Sequence, residues 1–179
     1  RSMSIYRPLF VLAPLALMLT ACASDPKTEA LQSEVQELTQ KVQKLSTEAE
    51  YLERQKAMNE NNEQSIYLIP AANSDAVGVT SIGQLRLLIS HLEPEADGSK
   101  AVLQIKTANG SILPSFTGSL EWGSLNQATL EPDQSSTLSQ SISFKSPATP
   151  TNVTSMEVRL SDIAPENLGF IRLSGIERQ

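Results

Sequence analysis

The stretch Phe116-Thr117-Gly118-Ser119-Leu120-Glu121-Trp122 (FTGSLEW) alternates bulky apolar residues with small or polar ones. A period of two is typical of a β-strand with one buried face, because successive side chains point to opposite faces. The same alternation recurs in residues 85–89, 101–106, 138–144, 156–160 and 171–173. The pattern predicts a mainly β domain over residues 66–179, with Trp122 as its core aromatic residue.

Turn-forming sequences separate these segments. They are Asp97-Gly98, Asn109-Gly110, Glu131-Pro132-Asp133 and Pro147-Ala148-Thr149-Pro150. Six to seven short strands, each polar on one face, predict an antiparallel β-sandwich of the immunoglobulin- or fibronectin-like type. Ala164-Pro165-Glu166-Asn167-Leu168-Gly169 has proline near its start and glycine at its end. It predicts one helical turn that crosses between the last two strands.

Upstream of the strands, apolar residues recur at alternating spacings of four and three. They are Leu31, Val35, Leu38, Val42, Leu45, Ala49 and Leu52. This pattern predicts an amphipathic helix over residues 30–56, with Leu at the d positions and Val or Ala at the a positions of a heptad. The polar run from Asn59 to Gln64 breaks the pattern and predicts a linker over residues 57–65.

Two interpretations of this heptad stripe are open. A narrow a/d stripe is typical of a coiled-coil seam, and β-branched a residues with Leu at d favour two parallel helices. Alternatively, a single amphipathic helix lies on the β domain. The flanking positions offer no complementary charges, and a coil of about three heptads is marginal by itself. We therefore expect at most a weak homo-oligomer, favoured when all copies are tethered in one membrane.

The N-terminus has the layout of a secretory signal peptide. Arg1 and Arg7 precede an apolar run from Leu9 to Leu19, which is too short to span a membrane as a helix. The run leads through Leu19, Thr20 and Ala21 into Cys22. This order resembles the bacterial lipobox, in which the cysteine is acylated on its thiol and, after cleavage, on its new terminal amine.

The lipobox divides the N-terminal region and predicts a location. Residues 1–21 are expected to be removed as a signal peptide, with Met3 as the true start, and residues 22–29 to form a lipidated tether. Several acyl chains on one residue give stable membrane anchoring, whereas one chain does not. Ala23 and Ser24 follow the cysteine, and the lack of an Asp there resembles outer-membrane sorting. We expect a protein held in the outer membrane by Cys22 and facing the periplasm.

Charge excludes some classes of partner. The formal net charge is −6, and every acidic residue follows Cys22. An acidic surface disfavours binding to nucleic acid and electrostatic adhesion to anionic lipid. Membrane contact is therefore expected through the acyl chains alone.

Catalytic signals in the sequence are weak. His91 is the one histidine, and no nucleophile-elbow motif surrounds any serine. His91, Glu93, Glu95 and Asp97 alternate along the chain, but Pro94 and Gly98 mark this segment as an acidic hairpin tip exposed to solvent. We expect no catalytic residue, no metal and no cofactor.

Three further segments extend the lipobox and heptads into a recognisable layout. They are Ile66-Tyr67-Leu68-Ile69-Pro70-Ala71-Ala72-Asn73, Phe116–Gly123 and Pro165-Glu166-Asn167-Leu168-Gly169-Phe170. Together they resemble the YajI-like family of enterobacterial lipoproteins, over essentially the whole chain. The resemblance implies a lipid-anchored envelope protein with a β-rich C-terminal domain. It implies no assigned activity or binding residue.

Three functions are compatible with these features. The first is a non-enzymatic binding or scaffolding module in the periplasm, acting on an unknown envelope protein. The second is a cell-envelope hydrolase, which would need His91 beside a serine and a carboxylate. The third is a structural spacer that acts through the coiled coil.

Overall fold

The computed structural model of the protein describes residues 26–179, and it begins with one long helix. Helix α1 runs from Pro26 to Asn59, 34 residues in all. Proline is favoured in the first turn of a helix because its missing N–H has no partner there. The helix therefore starts earlier and ends later than the predicted 30–56, and takes up part of the segments predicted as tether and linker.

Eight strands follow the helix and form two four-stranded sheets in which every pair is antiparallel. The strands are β1 (Ser65–Leu68), β2 (Ala76–Thr80), β3 (Gly83–Glu95), β4 (Gly98–Thr107), β5 (Phe116–Gly123), β6 (Leu138–Phe144), β7 (Val153–Leu160) and β8 (Phe170–Arg178). The first sheet has the order β1-β8-β5-β6 and the second the order β2-β3-β4-β7. The predicted antiparallel β fold with a preceding helix is confirmed, with eight strands where six to seven were expected.

Strands β1 and β2 were not among the segments that the periodicity marked, and the reason is clearest for strand β2. Its core-facing residues are small, Ala76, Gly78 and Thr80, whereas Val77 and Val79 face outward. A Cβ atom on Gly78 would lie 2.6 Å from Cγ1 of the buried Ile66, so only glycine lets β1 and β2 approach this closely. In β2 the small residues are therefore buried and the larger valines face outward, which is the reverse of the usual arrangement. Apolar periodicity in the sequence does not indicate a strand there.

The core lies between the two sheets. In the first sheet Trp122 stands opposite Ile171 and Leu120 opposite Leu173. The second sheet contributes a matching set of buried aliphatic residues: Leu85, Leu87, Leu103, Ile105 and Leu160. Trp122 is 2% exposed, and its indole N–H donates to the carbonyl of Ser161 at 3.0 Å. Its predicted place in the core is confirmed.

The predicted turns lie between strands. Ala96 and Asp97 connect β3 to β4, and Gly110 adopts a positive φ of 76° in the loop before β5. Pro165–Asn167 forms a single 3-10 turn between β7 and β8, which belong to different sheets, as predicted. A Cβ atom on Gly169 would lie 2.3 Å from the backbone nitrogen of Leu125, so the chain must carry glycine at this crossing.

The two lateral sides of the sandwich differ. On one side β1 and β2, consecutive in the chain, end their respective sheets and lie against each other. On the other side the terminal strands are β6 and β7. Two different edge environments follow from this topology, and they define the candidate sites.

Candidate functional site

The last turns of α1 close the free edge of strand β1. The Asn59 side chain accepts from the Tyr67 backbone N–H at 2.7 Å and donates to the Tyr67 carbonyl at 2.8 Å. Gln55, one helical turn earlier, accepts from the Ile69 N–H at 2.8 Å and donates to the Asp75 carbonyl at 3.0 Å. The Asn59 amide thereby occupies backbone groups that the edge strand β1 would otherwise leave open, and Gln55 holds the segment that follows this strand.

Gln55 and Asn59 together form an edge clamp, and apolar contacts reinforce it. A small cluster of buried residues, Ile69, Ala72, Leu125 and Phe170, receives Tyr51, Leu52, Met58 and Tyr67. Gln55 itself is 1% exposed. The C-terminal half of α1 is therefore part of the same compact unit as the sandwich, which spans Val42–Gln179.

The segment predicted as a linker, residues 57–65, is tightly hydrogen-bonded. The side-chain amide oxygen of Asn62, Oδ1, accepts from the backbone N–H groups of Gln64 and Ser65, at 3.0 and 3.1 Å. Its amide donates to the Ser65 hydroxyl at 2.9 Å. The asparagines that break the heptad pattern thus build the turn between α1 and β1.

The predicted coiled-coil seam divides into two parts along the helix. Leu52 is half-buried and packs against the cluster around Phe170. Ala49 is exposed, and the five earlier positions are 59–63% exposed: Leu31, Val35, Leu38, Val42 and Leu45. These five residues, called the apolar stripe from here on, form two heptads without a cover in the described part of the chain.

A shallow groove of about 450 Å³ lies at one end of the sandwich. Tyr51, Leu125 and the 164–169 crossing contribute to its walls, together with Ser124, Ser136 and the carboxylates Asp162 and Glu166. The Ser124 and Ser136 hydroxyls lie 3.0 Å apart and hydrogen-bond to each other. The lining contains no histidine, which is the side chain that most often serves as a general base.

His91 lies elsewhere, at an irregularity in strand β3. The ladder between β3 and β4 shifts register between Ser90 and Glu93, and His91 adopts a positive φ of 52°. Its ring is exposed, and Nδ1 is 3.1 Å from the Ser90 hydroxyl oxygen. A bulge turns the side chain away from the alternation of the strand.

The acidic residues near His91 have other partners. Glu93 lies 3.8 Å from Lys100 Nζ, and Glu95 lies 3.5 Å from Arg159 Nε. Among residues 26–179, no three His, Cys, Asp or Glu side chains come close enough together to hold a metal ion. The four alternating residues of this segment are thus not gathered into one site.

Two polar clusters lie on the first sheet and in the loop between β5 and β6. Arg172 Nη1 lies 2.7 Å from Glu121 Oε2, and its guanidinium sits 5.4 Å from the centre of the Tyr67 ring. Asp133 caps the 3-10 turn Gln134–Ser136, accepting from the Ser135 hydroxyl at 2.6 Å and its N–H at 3.0 Å. Hydrogen bonds from Ser135 to the carboxylate lower the pKa of Asp133 below its usual range.

The predicted anchor, Leu19, Thr20, Ala21 and Cys22, lies outside the described residues. Within the described part of the chain, no helix has the length and apolarity needed to cross a bilayer. The amides of the edge clamp are the site residues that the sequence did not reveal. Their one signal is a spacing of four residues just after the last heptad leucine.

Comparison with known proteins agrees with this architecture. A family model described as "Protein of unknown function (DUF3251)" matches residues 22–179. The uncharacterised lipoprotein YajI of Escherichia coli strain K12 is 28% identical over 162 residues, covering 89% of each chain. The resemblance to the YajI-like family is confirmed.

A solved structure shows the same fold. The solution structure of E. coli YajI superposes with a TM-score of 0.64 at 25% identity, over 74% of this chain and 79% of that one. The trimeric lipoprotein SadB of Salmonella enterica has a TM-score of 0.48 at 17% identity, over 85% of this chain and 75% of that one. Nothing about assembly is transferred from so distant a likeness.

Proposed function

The chain belongs to the DUF3251 family of proteins of unknown function, and from this premise we propose that it is a lipid-anchored, non-enzymatic binding module of the cell envelope. Cys22 carries the acyl chains. Two observations support the anchor: the relative YajI is a lipoprotein, and the family match begins at Cys22. The residues after Cys22, Ala23 and Ser24, favour the outer membrane and the periplasmic side.

Mass spectrometry of the N-terminal peptide tests the anchor. The mature chain should begin at Cys22 with a diacylglyceryl group and an acylated amine, and should fractionate with the outer membrane. Cys22→Ser should leave an uncleaved or released protein. An unmodified Cys22, or cleavage at another bond, would refute the anchor.

The observation that carries the binding role is the apolar stripe. Five Leu and Val side chains, each about three-fifths exposed, lie at heptad spacing on α1. Isolated exposed apolar residues are ordinary, but a heptad row is the seam of a coiled coil. The occupant that fits is the same stripe of a second copy, packed in parallel.

The length of the stripe makes this association weak. Because Leu52 packs against the sandwich, only two heptads remain for a partner helix. Helices this short pair marginally in water, and anchoring all copies in one membrane would raise their effective concentration. We expect reversible oligomers at the membrane and mainly monomers in dilute solution.

A charge-insertion experiment tests the stripe. Leu38→Asp with Leu45→Asp places carboxylates at two d positions, and should abolish oligomers of the full chain in detergent during sedimentation at high concentration. Gln36→Asp with Gln43→Asp adds the same charges at b positions and serves as the matched control. If the parent and both variants are monomers of equal helicity, the stripe does not associate.

The hydrolase alternative has a separate test. His91 sits exposed at the β3 bulge, and the groove at the sandwich end lacks a histidine. His91→Ala should therefore fold, localise and function as the parent in any envelope phenotype. Loss of the phenotype in a folded, correctly located variant would favour a hydrolase.

A further inference from the structure

The side of the sandwich that ends in β6 and β7 is one place where the core is incompletely covered. Several apolar residues that pack against the core but remain partly exposed lie on the two terminal strands of this side: Leu138, Ile142 and Phe144 on β6, and Met156 on β7. On the opposite side, the corresponding edge of β1 is closed by Gln55 and Asn59.

Strand β6 also lacks the features that usually protect an edge. Edge strands are commonly blocked by charges, prolines or bulges. The sequence Leu138-Ser139-Gln140-Ser141-Ile142-Ser143-Phe144 contains no charge and no proline, and its ladder to β5 is regular over all seven residues. Strand β7, by contrast, carries Glu157 and Arg159 on its outer face. In the described part of the chain β6 pairs on one side only.

The two faces of β6 are sharply different. Opposite Phe116 and Trp122 of β5, which are buried, stand Phe144 and Leu138. Opposite Thr117 and Glu121, on the outer face, stand Ser143 and Ser139. An added strand would therefore need apolar residues at one parity and small polar residues at the other.

A second β6 meets this requirement. In an antiparallel pair centred on Ser141, all seven residues of each strand are paired. Leu138 then stands opposite Phe144 of the second copy, Gln140 opposite its Ile142, and Ser139 opposite its Ser143, so that Gln140 is the one polar residue on the core-facing parity. Core-facing side chains meet core-facing side chains, and serines meet serines. The protein has a net charge of −6, but β6 contains no charged residue. The pair therefore brings no like charges opposite each other.

We propose that β6 is a homodimerisation edge, at which two copies pair antiparallel about Ser141 and join their first sheets into one eight-stranded sheet. The interface is isologous, as a two-fold dimer requires. Backbone hydrogen bonds would supply the contact and the apolar half of β6 the specificity. This inference goes beyond the proposed function: it names a second surface for self-association, and it does not depend on the apolar stripe of α1.

Single cysteines in the full-length protein test the register in intact envelopes. Residue 141 is the one position that meets itself, so Ser141→Cys should form a crosslinked dimer with a short bismaleimide. Ser139→Cys and Ser143→Cys should each crosslink poorly alone and well when the two variants are coexpressed. Ser155→Cys, exposed on β7, measures random collision, and the parent measures any reaction of Cys22.

The expected result is a dimer fraction for Ser141→Cys several-fold above that of Ser155→Cys. The dimer should persist with Leu38→Asp and Leu45→Asp present, which separates it from helix association. Ser141→Lys brings two cations together and should weaken dimers, whereas Ser143→Lys faces a serine and should not. Equal crosslinking at every position, or none at residue 141 and in the coexpressed pair, would overturn the β6 dimer and leave the helix proposal intact.

Discussion

Gln55 shows how one polar side chain can join two elements. It is 1% exposed, and it pairs with the Ile69 N–H and the Asp75 carbonyl. A buried amide is tolerated only when its donors and acceptors are matched, and removing it leaves backbone groups without partners. The role of Gln55 is therefore structural, and it fixes the end of α1 on the first sheet.

Gln55→Ala should lower the free energy of unfolding by about 1–3 kcal/mol, because the Ile69 N–H would stay buried without an acceptor. Urea denaturation of the full chain in detergent measures the change. Gln40→Ala, on the exposed part of the same helix, should change stability by less than about 0.5 kcal/mol. Equal effects of the two substitutions would contradict the edge clamp.

The ionisation of Asp133 makes the stability of the fold depend on pH. The folded-state pKa is lowered by the Ser135 hydrogen bonds, so the ionised cap stabilises the fold above the ordinary Asp range. This contribution is lost as pH falls through the lowered folded-state pKa. In an NMR titration the Asp133 carboxyl should titrate below 3.8. Ser135→Ala removes the hydroxyl donor and should raise that pKa, and an unchanged value would contradict the assigned cause.

Residue-scale prediction succeeded where burial follows periodicity. Trp122 lies on the apolar parity of its strand, and it is buried as the alternation predicted. Gln55 could not be found this way, because its environment depends on two backbone groups brought from a distant turn. Side-chain amides look alike in a sequence whether they face water or a strand edge.

At the scale of elements, one heptad pattern covers two parts of α1 that lie in different environments. Leu38 and Leu52 both occupy d positions, yet Leu38 is 60% exposed and Leu52 packs beside Phe170. The pattern predicted an amphipathic helix and left open whether the stripe meets a helix or the β domain. The structure places its last leucine on the domain.

Matched substitutions at Leu38 and Leu52 distinguish the exposed part of the heptad row from the part packed on the β domain. Leu52→Asp should lower the free energy of unfolding by about 1–3 kcal/mol, because a carboxylate would enter an apolar cluster. Leu38→Asp, measured at a concentration where the parent is monomeric, should change it by less than about 0.5 kcal/mol. Thermal or urea unfolding gives both values. A destabilisation by Leu38→Asp as large as that by Leu52→Asp would mean that Leu38 is packed within the monomer.

The strands that the sequence predicted are those with large core-facing residues. Segments with Leu, Ile or Phe at one parity became β3 to β8. Strand β2 was not predicted because its core-facing residues, Ala76, Gly78 and Thr80, are small. Ile66 leaves no room for a larger side chain at Gly78. The turn built by Asn62 was predicted as a linker because hydrogen bonds between side chains and backbone leave no periodic trace.

At the scale of the whole molecule, composition and order along the chain predict the class of fold but not the pairing of strands. Hairpins such as β3–β4 follow from short turns. The pairing of β1 with β8 joins the two ends of the domain, and it depends on the complete core. The unprotected edge at β6 and the clamped edge at β1 become visible only when this order is known.

The chain divides into two units between Lys41 and Val42, and amide exchange should report the described residues 26–41 and Val42–Gln179 separately. Residues 27–41 are exposed throughout, so the described part of the chain gives this stretch of α1 little of the tertiary packing that stabilises most helices in water. Its amides should exchange with an opening free energy near zero in dilute protein, whereas those of β4 and β5 should approach the global value.

The dependence of amide exchange on protein concentration provides a second test. If the apolar stripe pairs with a second copy, the amides of residues 30–45 should become slower to exchange as the protein is concentrated, because opening must then also break the helix pair. Leu38→Asp with Leu45→Asp should remove that dependence, and Gln36→Asp with Gln43→Asp should preserve it. Protection in residues 30–41 that is strong in dilute protein and indifferent to concentration would mean that this part of α1 is stabilised within a single chain.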